Sequence, residues 1–453
     1  MAMKIQFIGA SETVTCSKYL LSVGRHKLLI DCGLFQGLKN ARKKNWQALP
    51  IDPSRIDAVL LTHAHIDHSG YLPALMKHGF TGPIYCSHAT RALCRVLLPD
   101  AGYLQEEDAR YVNKAKCSHH QPAEPLFTEQ DAIKVLKQFK VLTHHETHQL
   151  FPDCQVSLKP VGHILGASSI RINNANKSIT FSGDVGRPDD LIMFPPESLK
   201  KSDYLVVEST YGDRLHPKID AYGQMKEIIK RTVKRGGIML MPAFAVGRAQ
   251  LALHVIQQLK AKKEIPNVPV FLNSPMAITA TELFFDYQEK HRLSRGQCEN
   301  IDKMVTFVKT KAESIELVGR KDPCIIISAS GMASGGRVLH HLKSLLPNAK
   351  NSILFLGYQA AGTRGFSLTH DHDRVKIHGA YVPVLAEVHN LEALSSHGDY
   401  QQIINWLKSL PQPKKTFITH GEAVAADCMR GHIKEQLGWQ DVIVPEYLDI
   451  FEL

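Results

Sequence analysis

The sequence lacks the features of disulfide-rich and membrane proteins. Its nine cysteines include no Cys-x-x-Cys pair, which argues against both a disulfide framework and a thiolate zinc ribbon. No segment is apolar over a membrane-spanning length, and the first residues contain no basic region followed by an apolar stretch and a cleavage site. We therefore expect a cytoplasmic protein without a membrane partner.

The length and the charge of the chain are compatible with an enzyme that acts on an anionic substrate. With 453 residues, two domains are expected, each large enough to bury its own core. Lys and Arg total 54 against 44 Asp and Glu, a net charge of +10, which favours a partner such as nucleic acid without requiring one. The 24 histidines are more than packing needs and indicate metal binding.

The hydrophobic pattern predicts an α/β protein in which one domain is inserted into another. From about residue 204, apolar strands alternate strictly with helices, as in a parallel sheet. Predicted strands at residues 238–241, 268–272 and 324–327 precede helices that begin near Arg248, Ala277 and Arg337. We predict a first domain of residues 1–208 and 388–453, and an inserted domain of residues 209–387.

The run His63-Ala64-His65-Ile66-Asp67-His68 is the clearest chemical signal. It places three imidazoles and a carboxylate directly after a predicted strand. A tight loop can direct alternate side chains to one point, so His63 and His65 would hold one ion while Asp67 and His68 hold a second. The alternative is a histidine-rich surface turn, but chance seldom supplies these ligand types at this spacing.

Three further candidate ligands follow predicted strands elsewhere in the chain. They are His163 in Gly-His-Ile-Leu-Gly, Asp184 in Ser-Gly-Asp-Val-Gly, and His420 in Thr-His-Gly. Taken singly, each is more often a turn residue or a hydrogen-bonded core histidine than a metal ligand. Together with the run at residues 63–68 they fill two coordination shells.

The order of these residues resembles that of a known family. Asp31, the run at residues 63–68, His163 and Asp184 resemble the metallo-β-lactamase superfamily, whose fold is an αββα sandwich with metals at one edge. Three later segments resemble the added motifs of the β-CASP nucleases. They are Val207–Gly212 with Glu208, Ser395–Tyr400 with His397, and His420. The chain looks most similar to the group containing the endonuclease subunit of the pre-mRNA cleavage complex and its bacterial and archaeal relatives.

The resemblance covers essentially the whole chain and implies a fold, a cofactor and a ligand set. The expected fold is the αββα sandwich with an inserted parallel α/β domain. Two zinc ions are implied, bridged by Asp184, with Asp31 behind the ligands as an orienting acceptor. One ion would be held by His63, His65 and His163, and the other by Asp67, His68 and His420. The resemblance also argues against a di-iron oxygen enzyme of the same superfamily, because such enzymes typically have Glu in place of His65.

The implied reaction is hydrolysis of a phosphodiester. Two zinc ions roughly 3.5–4 Å apart lower the pKa of a bridging water, which gives a hydroxide for in-line attack on phosphorus. His397 is the candidate general acid, and Glu208 would orient it and raise its pKa. The alternative is that Glu208 only caps the turn at Ser209-Thr210 and His397 only caps the helix that follows it. We predict a ribonuclease that cuts single-stranded RNA internally and leaves 5′-phosphate and 3′-hydroxyl ends.

Loops of the inserted domain are the predicted RNA-binding elements, because parallel sheets bind ligands beyond the carboxyl ends of their strands. Glycines in the loop from Ala329 to Arg337 allow close backbone approach, and the next helix offers N–H groups to a phosphate. Candidate RNA-binding residues are Arg248, Ser330, Gly331, Arg337 and Arg364. The chain has Asn273 where relatives often have Asp before Ser-Pro-Met.

Three alternatives remain from the sequence. A DNA nuclease similar to the crosslink-repair enzymes is disfavoured because those relatives typically lack a histidine equivalent to His420. A small-molecule hydrolase would leave the inserted domain without a task. A catalytically inactive binding subunit is disfavoured because no ligand position is missing. The sequence leaves open whether cutting is internal or from an end, and whether the chain forms a homodimer.

Overall fold

The computed structural model describes residues 3–114, 122–174 and 177–453. The chain divides into a first unit, Met1–Leu215 with His397–Leu453, and a second unit, His216–Ser396. The predicted boundaries lay at residues 208 and 387, and the difference has local causes. Beyond residue 208, Ser209 Oγ donates a hydrogen bond to the Thr419 carbonyl within the first unit (2.9 Å). Beyond residue 387, the strand Glu387–Asn390 completes the sheet of the second unit.

The helices and strands have the following bounds. The strands before the insertion are β1 (Met3–Phe7), β2 (Tyr19–Val23), β3 (His26–Ile30), β4 (Ala58–Leu60), β5 (Ile84–Cys86), β6 (Phe139–Val141), β7 (Thr147–Phe151), β8 (Cys154–Pro160), β9 (Ser168–Asn174), β10 (Lys177–Phe181) and β11 (Tyr204–Glu208). Those of the second unit are β12 (Met239–Pro242), β13 (Val270–Leu272), β14 (Val305–Phe307), β15 (Ile325–Ser328), β16 (Ser352–Phe355), β17 (Arg374–Ile377), β18 (Ala380–Pro383) and β19 (Glu387–Asn390). After the insertion come β20 (Lys415–Thr419), β21 (Val442–Ile443) and β22 (Ile450–Glu452).

The first unit contains the helices α1 (Lys39–Lys43), α2 (Ile66–Ser69), α3 (Leu72–Lys77), α4 (His88–Lys114) and α5 (Glu129–Val135) before the insertion. The second unit contains α6 (Ala221–Lys234), α7 (Arg248–Ala261), α8 (Pro275–Asp286), α9 (Arg295–Met304), α10 (Lys311–Gly319), α11 (Val338–Leu345) and α12 (Arg364–Thr369). The helices α13 (Tyr400–Leu407) and α14 (Ala423–Leu437) follow in the first unit.

Two sheets pack face to face in the first unit. Their strand orders are β22-β1-β2-β3-β4-β5-β6 and β21-β20-β11-β10-β9-β8-β7. Phe7 and Tyr19 of the first sheet meet Phe417 and Phe181 of the second, with ring centroids 5.1 and 5.6 Å apart respectively. Helix α4 packs beside β6 of the first sheet, and α14 packs beside β20 and β21 of the second. The predicted αββα sandwich is confirmed.

Parallel pairing brings the functional ends of the strands together. Strand β3 pairs in parallel with β4, and β11 pairs in parallel with both β10 and β20. Asp31 follows β3, His63 follows β4, Asp184 follows β10, Glu208 ends β11 and His420 follows β20. Because parallel strands present their carboxyl ends at the same edge of a sheet, the order of the strands gathers these residues.

The second unit is built on a parallel sheet of order β14-β13-β15-β12-β16-β19, with the hairpin β17-β18 beside it. The predicted alternation of strands and helices is confirmed: α7 begins at Arg248, α8 at Pro275 and α11 at Val338. Buried aliphatic side chains such as Leu240, Ile326 and Leu342 form its core. Over the described residues, no helix has both the length and the apolar character needed to cross a bilayer.

The aromatic contact between the two sheets predicts a large stability effect. Phe417→Ala removes a fully buried ring that packs between the two sheets. This change should lower the free energy of unfolding of the first unit by about 3–5 kcal/mol. Urea unfolding followed by circular dichroism measures this change. Phe194, which is 45% exposed, is the matched control, and Phe194→Ala should change stability by less than about 0.5 kcal/mol. Equal losses in the two variants would contradict the assignment of the core.

Candidate active site

The loop between β4 and α2 carries four of the predicted ligands. His63 precedes the helix, His65 is its N-terminal flanking residue, and Asp67 and His68 lie within its single turn. The segment around Gly33 packs against this loop and leaves it little room to move. At Gly33, a Cβ atom would lie 1.5 Å from the carbonyl oxygen of Asp67, so only glycine permits this approach.

The first ligand group consists of three imidazoles and one carboxylate oxygen. His65 Nδ1 lies 3.1 Å from both His63 Nε2 and His163 Nε2. Asp184 Oδ2 lies 3.4 Å from the same two Nε2 atoms. Each of the four residues offers one ligand atom, and these atoms lie within 4.8 Å of one another. Imidazole nitrogens and a carboxylate oxygen converging in this way match the ligand preference of zinc.

The second ligand group consists of Asp67, His68 and His420. His420 Nε2 lies 3.2 Å from His68 Nε2 and 3.4 Å from Asp67 Oδ2. The other oxygen of Asp184, Oδ1, lies 3.1 Å from His68 Nε2. Asp184 thus presents Oδ2 to the first group and Oδ1 to the second, as a bridging carboxylate would. The structure brings all seven predicted ligands together.

Burial keeps the imidazoles of the first group neutral. It lowers the pKa of His63, lowers that of His65 to about 3, and lowers that of His163 well below its usual value. A metal ligand must offer a free lone pair, which only the neutral ring has. This donor set therefore fits a divalent metal ion.

Around the second group, neighbouring charges together have a larger effect than burial on the pKa values of Asp184 and His68. Burial works against the charged carboxylate of Asp184, but the nearby His420 and His68 hold its pKa well below the usual range. Burial also works against a charged His68, but Asp184 and Asp31 raise its pKa well above the usual value. The proton that charges the His68 ring would be replaced by a metal ion bound at Nε2, because the proton and the ion compete for the same nitrogen lone pair.

Hydrogen bonds behind the ligands fix their orientation. His68 Nδ1 donates to Asp31 Oδ2 (2.8 Å), which leaves Nε2 directed at the ligand group. Asp31 also accepts from the Thr62 backbone N–H (2.7 Å) and the Thr62 hydroxyl (2.8 Å). The position of Asp31 is that of an orienting acceptor. Thr210 Oγ1 lies 3.1 Å from His420 Nδ1 and donates to Glu208 Oε2 at 2.6 Å.

Thr62 and Thr210 were not identified from the sequence. Each adjoins a residue that was singled out, since Thr62 precedes His63 and Thr210 lies two positions after Glu208. That proximity was the available signal. A threonine at the end of a strand is so common that its hydroxyl gains a role only when the tertiary contacts are known.

Three of the site residues have a left-handed backbone. The φ angles are 56° at Asp31, 44° at His163 and 53° at His420. Residues other than glycine adopt this region uncommonly and at an energetic cost. Each of these residues lies in a loop that leaves a strand, and the reversed backbone turns its side chain toward the ligand groups.

His397 and Glu208 form a buried pair beside the first ligand group. His397 Nδ1 lies 3.0 Å from Glu208 Oε2 and 3.1 Å from Oε1, and its Nε2 lies 3.9 Å from Asp184 Oδ2. Glu208 is itself fixed, since Oε1 accepts from the Val185 N–H at 2.5 Å. Burial disfavours a charged imidazole, but Glu208 outweighs burial and raises the pKa of His397.

The chain was compared with known families and proteins. It matches the Metallo-beta-lactamase superfamily over residues 13–228, the Beta-Casp domain over residues 249–368 and the Zn-dependent metallo-hydrolase RNA specificity domain over residues 381–445. It is 32% identical to Ribonuclease TTHA0252 of Thermus thermophilus over 93% of each chain. The chain belongs to the β-CASP group of the metallo-β-lactamase superfamily.

Other similar proteins cover most of the chain. The RNase J-like protein of Methanocaldococcus jannaschii is 29% identical over 92% of each chain. Transcription termination factor FttA of Thermococcus kodakarensis is 31% identical over 93% of this chain and 67% of that protein. A solved structure from Enterococcus faecalis V583, of a protein of unknown function, has a TM-score of 0.55 at 12% identity and covers all of both chains. This last likeness shows the fold alone.

In this β-CASP protein the candidate RNA-binding residues lie in the second unit, where the side chains of Arg248 and Arg364 hold loops in place. Arg248 is 4% exposed and donates to the Leu394 carbonyl. Arg364 donates from Nε to the Lys376 carbonyl at 2.7 Å and from Nη1 to the Ser334 carbonyl at 3.1 Å.

The loop that carries Ser330 and Gly331 is closely packed. Ser330 Oγ accepts from the Ser334 N–H at 3.1 Å. A Cβ at Gly331 would lie 2.6 Å from the ring of Phe244, so a larger residue would displace the loop. Four of the five candidates, Ser330, Gly331, Arg337 and Arg364, lie on or against this loop.

Asn273 has a specific structural role in the second unit. Its Oδ1 accepts from Arg337 Nη1 at 2.9 Å, while its Nδ2 donates to Ser314 Oγ at 2.9 Å and to His341 Nε2 at 2.7 Å. Burial lowers the pKa of His341 to about 4, so its ring is neutral and Nε2 accepts. An Asp at this position has no N–H to donate, which explains why an amide suits this chain.

The contact between Asp31 and His68 predicts an effect on metal affinity. Asp31→Asn removes the carboxylate that holds His68 Nδ1–H and should weaken metal binding by about 10- to 100-fold. Competition with a chelator, with bound zinc measured by atomic absorption, gives the affinity. The control is Asp153→Asn at an exposed turn, which should leave affinity unchanged. If both variants bind zinc as tightly as the unaltered protein, Asp31 does not orient the ligands.

Proposed function

We propose that the protein is a zinc-dependent ribonuclease that cuts single-stranded RNA internally and leaves 5′-phosphate and 3′-hydroxyl ends. The observation that carries this proposal is the His397–Glu208 pair directly beside two convergent ligand groups. The match to an RNA specificity domain, and the similarity to a protein named ribonuclease over 93% of its length, support RNA as the substrate.

The ligand groups account for binding and orientation at the reacting phosphate. His63, His65 and His163 would hold one zinc ion, and Asp67, His68 and His420 the other. Two zinc ions at these residues would lower the pKa of water and offset the negative charge that develops on the phosphate. Asp184 faces both groups and therefore fixes their relative position.

The proton for the leaving ribose oxygen comes from His397. Glu208 raises the pKa of His397, which favours the protonated ring, and it holds Nδ1–H so that Nε2 is the donating atom. Donation from Nε2 neutralises the alkoxide as the bond to phosphorus breaks. No side chain of the protein forms a covalent bond to the substrate in this scheme.

In the second unit, the proposed phosphate contacts come from Ser330, Gly331, Arg337 and Arg364. Backbone N–H groups of a glycine-rich loop suit a phosphate, and the positive charge of each guanidinium complements its negative charge. Arg248 is assigned a supporting role, because its side chain is buried against the Leu394 carbonyl.

Cleavage of matched oligonucleotides tests the proposed function. With zinc, single-stranded RNA labelled at either end should give internal cuts, and the upstream fragments should be extended by a polymerase because they carry 3′-hydroxyl groups. DNA of the same sequence should be cut at least about tenfold more slowly. Asp67→Ala, which removes a ligand, should abolish cleavage. Equal rates on RNA and DNA would overturn the substrate assignment.

The His397–Glu208 pair predicts a pH effect. His397→Ala should retain zinc but lose about 10²- to 10⁴-fold in turnover, whereas His145→Ala, at a side chain 58% exposed, should lose neither. For the unaltered protein, turnover should fall as pH rises through the raised pKa of His397, because the acid loses its proton.

Glu208→Gln separates the general acid from a merely structural histidine. Glu208 raises the pKa of His397, so its neutralisation should move the alkaline limb of the pH–turnover profile to lower pH. The profile is measured on one RNA oligonucleotide at saturating concentration. An alkaline limb that stays in place in Glu208→Gln would show that His397 is not the acid.

A further inference from the structure

A cluster of cationic side chains follows the strand that leads to Asp31. Residues 38–46, here called the basic segment, form α1 and a following 3-10 turn, Lys44–Trp46. The segment carries Lys39, Arg42, Lys43 and Lys44, and no acidic residue occurs between Asp31 and Asp52. Lys39, Arg42 and Lys43 are exposed. Among the described residues, none of the segment's four cations has an ion-pair partner.

An exposed indole lies at the end of the basic segment. Trp46 is 62% exposed, whereas the other tryptophans, Trp406 and Trp439, are 9% and 4% exposed. Leu38, at the start of the segment, is 58% exposed. A large apolar side chain left in water among unpaired cations needs an explanation, because folding alone favours its burial.

The basic segment is held in place by buried contacts. Asn45 Nδ2 donates to the Phe35 carbonyl, and the Phe35 N–H donates to Asn45 Oδ1, both at 2.9 Å. Lys44 Nζ lies 4.2 Å from the ring centroid of Tyr447 and 5.4 Å from that of Phe35. The backbone around Trp46 is therefore fixed before any ligand binds.

The basic segment begins close to the metal ligands of the same unit. Leu34 N–H donates to the Ile66 carbonyl at 3.0 Å, and Gly33 lies against the Asp67 carbonyl. Leu38 follows Leu34 by four positions, which limits the distance between their Cα atoms to about 14 Å. A nucleic-acid strand bound at the ligand groups would reach this segment within a few nucleotides.

We propose that the basic segment binds single-stranded RNA next to the cut site, with its exposed cations Lys39, Arg42 and Lys43 on phosphates and Trp46 stacked on an unpaired base. This inference rests on the proposed ribonuclease function. Fixed cations neutralise phosphates, and an exposed aromatic face accepts any base, so the combination is suited to a single strand without sequence preference. The occupant is RNA, since cations without neighbouring carboxylates complement a polyanion and an apolar partner would not need them.

Fluorescence titration tests the stacking on Trp46. A His397→Ala background slows cleavage enough for binding to be measured, and a single-stranded RNA oligonucleotide is added. The exposed Trp46 should be quenched, and Trp46→Phe should lose the quenching but keep affinity within about threefold, since a smaller ring still stacks. Trp46→Ala should bind about 5- to 100-fold more weakly. Quenching that persists in Trp46→Phe, or equal affinity in Trp46→Ala, would overturn the stacking.

Salt dependence tests the phosphate contacts. Arg42→Gln/Lys43→Gln should reduce the slope of log affinity against log salt by about 1.4, since each phosphate contact on a single strand contributes about 0.7. The matched control is Lys200→Gln/Lys201→Gln, another exposed cationic pair of the first unit, which should leave the slope unchanged. An equal change in the two pairs would mean that only net charge matters and would overturn the proposed site.

A small phosphodiester separates this inference from the proposed function. Bis(p-nitrophenyl) phosphate has a single phosphate and no nucleotide strand to extend along the basic segment. We therefore expect Arg42→Gln/Lys43→Gln to hydrolyse it at the unaltered rate, while the KM of the variant for RNA rises about tenfold. If the unaltered protein binds RNA through Trp46 but does not cut it, the proposed function fails and the binding site stands. If it cuts RNA and the variant has an unchanged KM, or if a poly-glutamate peptide quenches Trp46 and RNA does not, the binding site fails.

Discussion

The rest of the site depends on the buried carboxylate of Asp184, whose two oxygens face two groups of imidazoles. A buried carboxylate without compensation would be costly, and His420 and His68 supply that compensation by holding its pKa low. The residues that surround it come from both sheets of the sandwich. These contacts around Asp184 can therefore form only when the two sheets pack with the carboxyl ends of these strands side by side.

The position of the insertion in the chain also brings residues to this site. The second unit is inserted between Glu208 and His397, and these two residues meet in the first unit through hydrogen bonds of 3.0 and 3.1 Å. The pair thus joins the chain before the insertion to the chain after it, and it also sets the protonation of the proposed acid. A substitution of either residue therefore affects both this local contact and the protonation of the proposed acid.

Much of the fold and the site could be predicted from the sequence. The alternation of strands and helices after residue 204 followed from periodicity. The sandwich and the family were implied by the resemblance of the metal-ligand run and the later motifs to a known family. The units divide after residues 215 and 396, not after the predicted 208 and 387. At the first boundary, the segment after Glu208 stays on the first unit through a tertiary hydrogen bond. The guanidinium of Arg248 illustrates the limit of such prediction, since only packing shows that it is buried.

The sequence by itself determined which residue types are available and in what order, and therefore the family and the class of chemistry. Only the tertiary structure decided that Asp184 divides its oxygens between two groups, that Asp31 holds His68, and that Thr62 and Thr210 support the ligands. It also decided that Trp46 stands in water while Trp406 and Trp439 are buried. The reason is that distances between residues far apart in the chain, and exposure to solvent, are set by packing and not by local sequence.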